Sequence, residues 1–288
     1  MGDVELCYET FGADDAPALL MVMGLGSQML VWEDEFCATL AGHGFRVVRF
    51  DNRDNGRSTI FGQAKPPTLR QLMLRDRRGA AYALDDLAAD AVGLLDHLGI
   101  GSAHVVGASM GGMIAQLVAI NHPERADSLV SIMSSTGSWR VGLPRPNLLP
   151  LILRRPRKDR EGYIEDMVKT FRAIGSKRYP TPEAELRSLA ERCFERGISP
   201  AGTARQLAAI QTAPDRTPKL RQLRLPATVI HGSRDPLIMP SGGRATAKAI
   251  PGAKLLMLDG MGHDLPRPLW PQIIEAILQT VAAARGRA

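Results

Sequence analysis

Gly107-Ala108-Ser109-Met110-Gly111 joins an apolar run, Ala103 to Gly107, to a segment of helical pattern, Gly112 to Asn121. A serine at the sharp junction of a buried strand and a helix is the setting of a nucleophile elbow. The tight turn strains the serine backbone and lifts its hydroxyl clear of the chain. Side chains two residues to either side would strike neighbouring segments, so glycine stands at 107 and 111. The helix that follows offers N–H groups and the positive end of its dipole, which favour a developing negative charge beside the serine.

Working outward, Ala18 to Met23 and Phe45 to Asp51 are also short apolar runs ending in Gly or polar residues, the pattern of parallel strands buried on both faces. Ahead of the elbow strand, Leu84 to Leu98 sets Leu84, Leu87, Ala88, Ala91, Leu94, Leu95 and Leu98 at helical spacing, and Gly99 stops it. After Arg224 the grammar returns: a strand from Ala227 to His231, a helix from Ser241 to Ile250, a strand from Lys254 to Leu258 and a closing helix from Leu269 to Ala284. This alternation predicts an α/β fold, a mostly parallel, doubly wound sheet with helices on both faces.

Residues 137–221 break the alternation. They open with Pro144, Pro146, Pro150 and Pro156 and continue in helical patterns, so they read as a helical cap inserted into a core formed by 1–136 and 222–288. The cap holds 18 Lys and Arg against 9 Asp and Glu, whereas the whole chain has a net charge of +6. Solvated faces of surface helices account for that excess; a charged substrate-binding surface is the alternative. Trp139, Tyr163, Phe171, Tyr179 and Phe194 are expected to pack the cap helices together, with lining of an apolar pocket as the other use for them.

With 288 residues, 44% hydrophobic and 23% charged, the chain is globular and long enough for one large core plus an insertion. No zinc-ligand spacing, aromatic RNA-binding signature or long basic run points to nucleic acid, despite the positive charge. Cys7, Cys37 and Cys193 are odd in number and far apart, which gives neither a disulfide framework nor a metal-binding pair. Asp3 and Glu5 stand where a signal peptide needs positive charge, and the run from Ala18 to Met23 is too short to span a bilayer. Leu6 stands where a myristoylation signal starting at Gly2 would need Ser or Thr. The expectation is a cytoplasmic protein without membrane or nucleic-acid partners.

Two downstream segments complete the chemistry that Ser109 begins. His231-Gly232-Ser233-Arg234-Asp235 puts Asp235 in the loop beyond a predicted strand, where a carboxylate can orient a histidine. Gly260-Met261-Gly262-His263-Asp264 likewise follows a predicted strand and brings His263 to the same sheet edge. Asp264 is the competing acid, but an immediate neighbour cannot easily face its own histidine's ring. The other histidines read as structural: His231 ends a strand, His122 leaves a helix, and His43, His97 and His104 fall in expected helices or turns. Acyl transfer also needs an oxyanion hole. Its backbone N–H donors are expected from Met110, after the nucleophile, and from Leu25 in Met23-Gly24-Leu25-Gly26.

These segments, with Asp51-Asn52-Arg53-Asp54-Asn55-Gly56-Arg57-Ser58, resemble the α/β-hydrolase superfamily over nearly the whole chain. Within it they resemble the aclacinomycin methylesterase group and related macrolide esterases. Many members carry His-Gly in the oxyanion loop; here Met23 takes the histidine's place, which leaves the backbone donor intact. The Asp51–Ser58 segment is similar to a family turn that braces the active-site edge.

The resemblance implies a serine esterase with Ser109, Asp235 and His263 as its triad, a small-molecule ester as substrate, and no metal or organic cofactor. Serine at the elbow argues against dehalogenases and epoxide hydrolases of the superfamily, which use aspartate there. Peptidase, thioesterase and carbon–carbon hydrolase chemistry stay open, because fold and triad do not choose the leaving group. The substrate expected is a bulky polyketide-type ester, ring opening of a macrolide lactone being placed ahead of anthracycline-type methyl-ester cleavage, with a general short-chain carboxylesterase beyond both. From another class comes a ligand receptor on the same fold with little turnover.

Overall fold

The computed structural model describes residues 4–152 and 157–286, so Gly2, Asp3 and Pro156 lie outside the described residues. Seven strands form one sheet: β1 (Tyr8–Phe11), β2 (Ala18–Val22), β3 (Arg46–Phe50), β4 (Ala103–Ala108), β5 (Ala126–Ile132), β6 (Ala227–Gly232) and β7 (Lys254–Leu258). Their spatial order is β1-β3-β2-β4-β5-β6-β7. Only the edge pair β1 and β3 is antiparallel; the rest run parallel. Register matters for function. Val22 pairs with both Phe50 and Gly107, and Gly232 pairs with Leu258, so the carboxyl ends of β2, β4, β6 and β7 finish along one edge. In open parallel sheets that edge is where ligands bind.

The core splits across the sheet because successive strand residues face opposite ways. On β2, Leu20 and Val22 pack toward α3 (Leu84–His97) and α4 (Met110–Asn121). Leu19 and Met21 pack on the other face, with Phe36 of α1 (Asp34–Gly42) and Ile273 and Ile277 of the closing helix Trp270–Arg285. A central strand buried on both faces has no polar side to alternate with, which is why these strands read as unbroken apolar runs.

Some elements were not anticipated from sequence. β1 has no apolar run, because it is an edge strand with half its residues exposed. β5 carries three polar side chains in Ala-Asp-Ser-Leu-Val-Ser-Ile, two of them buried, and α1 was also missed. His104 lies in β4 rather than in a helix or turn, and its Nδ1 is 2.9 Å from Ser128 Oγ on β5, so one buried polar residue satisfies another.

Between β3 and β4 lies the short helix α2 (Leu69–Met73). Between β5 and β6 the chain leaves the sheet and forms α5 (Leu149–Ile152), α6 (Arg160–Ile174), α7 (Glu183–Glu195), α8 (Pro200–Thr212) and α9 (Thr217–Leu220), with α10 (Ser241–Ala249) and α11 (Trp270–Arg285) back on the sheet. Side-chain caps start two of the inserted helices, Asp159 on the Gly162 N–H and Ser199 on the Gly202 N–H. Among the described residues, no helix is long and apolar enough to cross a membrane.

Candidate active site

Ser109 sits between β4 and α4 with φ at 57° and ψ at −120°, a conformation that β-carbon-bearing residues rarely adopt. Glycine is required on both sides. A Cβ on Gly107 would strike the Gly111 carbonyl, and one on Gly111 would strike the Val22 carbonyl of β2. The elbow is therefore wedged against the neighbouring strand, and its hydroxyl points along the sheet edge.

Ser109 Oγ lies 2.9 Å from His263 Nε2, and His263 Nδ1 lies 2.7 Å from Asp235 Oδ2. The three stand just beyond β4, β7 and β6, as the spacing predicted. Asp235 is 0% exposed and His263 7%. The other oxygen of Asp235 accepts the N–H groups of Leu237 and Ile238, at 2.8 and 2.9 Å, so its carboxylate is fixed before the histidine meets it. Since carboxylate oxygens only accept, Nδ1 carries the proton and Nε2 is left to accept one from the serine hydroxyl.

The oxyanion loop approaches closely. A Cβ on Gly24 would lie 3.0 Å from Ser109 Cβ and crowd the nucleophile, so glycine eases the approach of the Met23–Ser27 turn to the elbow. Among the described residues, neither the Leu25 nor the Met110 N–H donates to a protein acceptor. Both are free to serve a negatively charged oxygen.

A model of the α/β hydrolase fold matches residues 17–266. The chain belongs to the α/β-hydrolase fold family. It is 30% identical to rhodomycin D methylesterase DauP of Streptomyces sp. (strain C5), over 98% of this chain and 96% of that protein. It is 27% identical to 3-oxoadipate enol-lactonase 2 of Acinetobacter baylyi, over 89% of this chain and 86% of that one. Among solved structures, the enol-lactonase from Burkholderia xenovorans superposes with a TM-score of 0.74 at 24% identity, covering 97% of each chain. The chain is thus an enzyme of the α/β-hydrolase esterase type.

Other side chains hold this family's machinery in place, and sequence reasoning missed most of them. Asp264, the competing acid, faces away from the imidazole and accepts from the Ser176 N–H at 2.9 Å and from the Ser176 hydroxyl. The same hydroxyl accepts the Gly262 N–H, and the His263 N–H donates to the Ile174 carbonyl at 2.8 Å. The segment after α6 therefore grips the histidine loop. Burial pushes the Asp264 carboxyl above the ordinary carboxylate range despite the help of Ser176.

On the other side of the site, Gln206 of α8 accepts the Gly26 N–H at 2.9 Å and donates to the Arg53 carbonyl, while Asn52 donates to the Met23 carbonyl. His231 is fully buried, and that burial holds its imidazole below the ordinary histidine value. Its Nε2 donates to the Ile238 carbonyl at 2.8 Å, within the loop that carries Asp235.

The Asp51–Ser58 turn ties sheet to helices. Asp51 accepts the Met29 and Arg57 N–H groups and pairs with Arg196 just after α7. Asp54 pairs with Arg205 of α8 and accepts the Tyr82 hydroxyl at 2.7 Å. Burial pushes the Asp54 carboxyl up, but its bonds from Arg205, Tyr82 and the Phe61 N–H outweigh that and hold it below the ordinary value.

The aromatics of residues 137–221 divide. Tyr163 packs on Phe194 and, with Phe171, lines a cavity, whereas Trp139 is 62% exposed, with Arg140 over its ring. Among the described residues, no group of three His, Cys, Asp or Glu is placed to hold a metal ion.

Proposed function

We propose that this enzyme is a serine-dependent carboxylic ester hydrolase acting through an acyl-enzyme on a bulky polyketide-type methyl ester, with residues 137–221 as the cap that shapes its substrate site. The observation that carries the mechanism is the unbroken line from Ser109 Oγ through His263 to Asp235, at 2.9 and 2.7 Å. His263 takes the hydroxyl proton as Ser109 Oγ attacks the ester carbonyl, and Asp235 holds the ring in the tautomer that can accept it. The carbonyl oxygen, now negative, receives the N–H groups of Leu25 and Met110. His263 then hands its proton to the departing alcohol. Water enters, gives a proton to His263 and attacks the acyl carbon; the acid leaves and Ser109 regains its proton.

For the substrate, support comes from the rhodomycin D methylesterase, similar over nearly the full length of both chains, and from an apolar cavity under the cap beside Leu25. Methyl-ester cleavage is for that reason placed ahead of the macrolide-lactone opening expected from sequence. Incubation with anthracycline methyl esters and with macrolides, followed by mass analysis, separates the outcomes. The proposal expects methanol and the free acid from the former, with sustained turnover that vanishes in Ser109→Ala. Lactone opening adds one water and releases nothing. Fast hydrolysis of short acyl esters with neither polyketide class consumed would return the protein to the general carboxylesterases, and a single burst without turnover would favour a receptor.

A further inference from the structure

His231 stands next to last in β6, just ahead of the loop that carries Asp235, and is 0% exposed. Its ring is seated against the first turn of α10, where a Cβ on Gly243 would lie 2.5 Å from Nδ1 and strike the imidazole. Nε2 donates to the Ile238 carbonyl at 2.8 Å, and because a carbonyl only accepts, that nitrogen carries a proton. Nδ1 has no hydrogen-bond partner among the described residues. A bare nitrogen suits that place better than an N–H, which would be a buried donor without an acceptor. The surroundings agree. Burial is the largest influence against a second proton, and His263 from the loop after β7 and Arg244 from α10 add to it; together they outweigh the Asp235 carboxylate and the bond to Ile238.

The proton on Nε2 serves the Asp235 loop. Ile238 gives its N–H to Asp235 Oδ1 at 2.9 Å and its carbonyl to His231, so this one residue is held from both sides. The Leu237 N–H also reaches Oδ1, at 2.8 Å. With Oδ1 taken by two amides of its own loop, Oδ2 is left to His263 Nδ1 at 2.7 Å. His231 Nε2 lies 3.5 Å from the same Oδ2, too far for a good hydrogen bond and close enough to be packed against it. The aim of the carboxylate at His263 therefore depends on a turn that His231 closes.

We infer that His231 is a positioning residue: by holding the Ile238 carbonyl it fixes the turn from Asp235 to Ile238, and with it the angle at which Asp235 Oδ2 meets His263. It acts through Asp235 and, being sealed in the core, touches no substrate. The inference rests on the proposed hydrolase reading and deepens it.

The test compares two substitutions of similar length in the full chain. His231→Gln keeps a neutral N–H donor that reaches toward Ile238, whereas His231→Met removes the donor. On p-nitrophenyl acetate, His231→Met is expected to lose about 10- to 100-fold in kcat with KM little changed, and His231→Gln to stay within about threefold of the parent. The acid limb of kcat/KM, set by His263, should move to lower pH in His231→Met, because a misaligned carboxylate stabilises the imidazolium less. A ring that only fills space would cost both variants alike and leave that limb in place. Equal losses in the two variants, or an unmoved limb in His231→Met, overturn the inference. Should His231→Met not fold, His231→Asn, whose amide stops short of Ile238, replaces it with the same expectations. The hydrolase reading is scored separately, by Ser109-dependent release of p-nitrophenol in the parent. If the parent releases none, that reading fails, and the proton resonance of His263 Nδ1–H, assigned by its loss in Asp235→Ala, still decides the role of His231. It should stay at its downfield position in His231→Gln and move upfield in His231→Met; an unshifted resonance overturns the inference.

Discussion

The sheet edge and the helices above it hold the site by different means. Ser109, Asp235 and His263 stand just beyond β4, β6 and β7, each aimed by a loop of a few residues anchored to its own strand. The segment between β5 and β6 reaches the sheet-edge loops only across long stretches of chain: Ser176 on Asp264, Arg196 on Asp51, Arg205 on Asp54 and Gln206 on Gly26. The three site residues are placed locally, and the helices between β5 and β6 are fastened at a distance. Substitutions in the two regions should therefore differ in what they damage.

The largest contrast is between neighbouring loops. Asp235→Asn should lower kcat by about 10⁴-fold, because the amide favours the wrong tautomer of His263. Asp264→Asn, which touches Ser176 rather than the imidazole, should cost less than about tenfold. Steady-state kinetics on one ester checks both, and a reversed ranking would break the distinction between the two regions.

Next is Asp54→Ala, which strands the buried Arg205 guanidinium. Removing one partner of a buried pair costs about 3–5 kcal/mol, read as a lower denaturant midpoint. Loss of less than about 1 kcal/mol would mean that this fastening adds no more than an exposed pair. A milder effect is expected for Gln206→Leu, which releases the Gly26 N–H and loosens the oxyanion loop. kcat should fall roughly tenfold, less than the loss of a direct oxyanion donor, with KM little changed; a change confined to KM would assign Gln206 to binding instead.

These contrasts also explain what was legible in the sequence. The parallel strands announced themselves because burial on both faces leaves unbroken apolar runs, and Gly107 and Gly111 betrayed the elbow because nothing larger fits. β1 was silent, since an edge strand of four half-exposed residues has no such run. β5 was hidden by Ser128 and Ser131, whose burial is tolerable only because His104 and Gln116 meet them from elements far away in sequence. For the same reason Ser176 and Gln206 carried no signal: a local motif can fix a loop, but a clasp is defined only when both of its halves are in place.

The smallest effect sharpens the comparison through pH. The Asp264 carboxyl is raised by burial, so the folded state holds its proton more tightly than the unfolded chain does. Its contribution to stability is present below the ordinary carboxylate value and is lost as pH rises through the raised one. Asp264→Asn should accordingly gain on the parent in melting temperature between pH 4 and pH 7. Asp54, lowered by its partners, has the opposite sign: its contribution is present above the ordinary value and is lost as pH falls through the lowered one. A constant difference between parent and Asp264→Asn across that range would remove the buried carboxylate from the account.

The central claim is that Ser109 is the nucleophile, activated by His263. Intact-mass measurement after treatment with a fluorophosphonate probe tests it most directly. One adduct per chain is expected, mapped to Ser109, formed far more slowly in His263→Ala and absent in Ser109→Ala, whose turnover should fall by about 10⁵- to 10⁶-fold with the fold intact. An adduct on another residue, or labelling and ester turnover that both survive in Ser109→Ala, would contradict it.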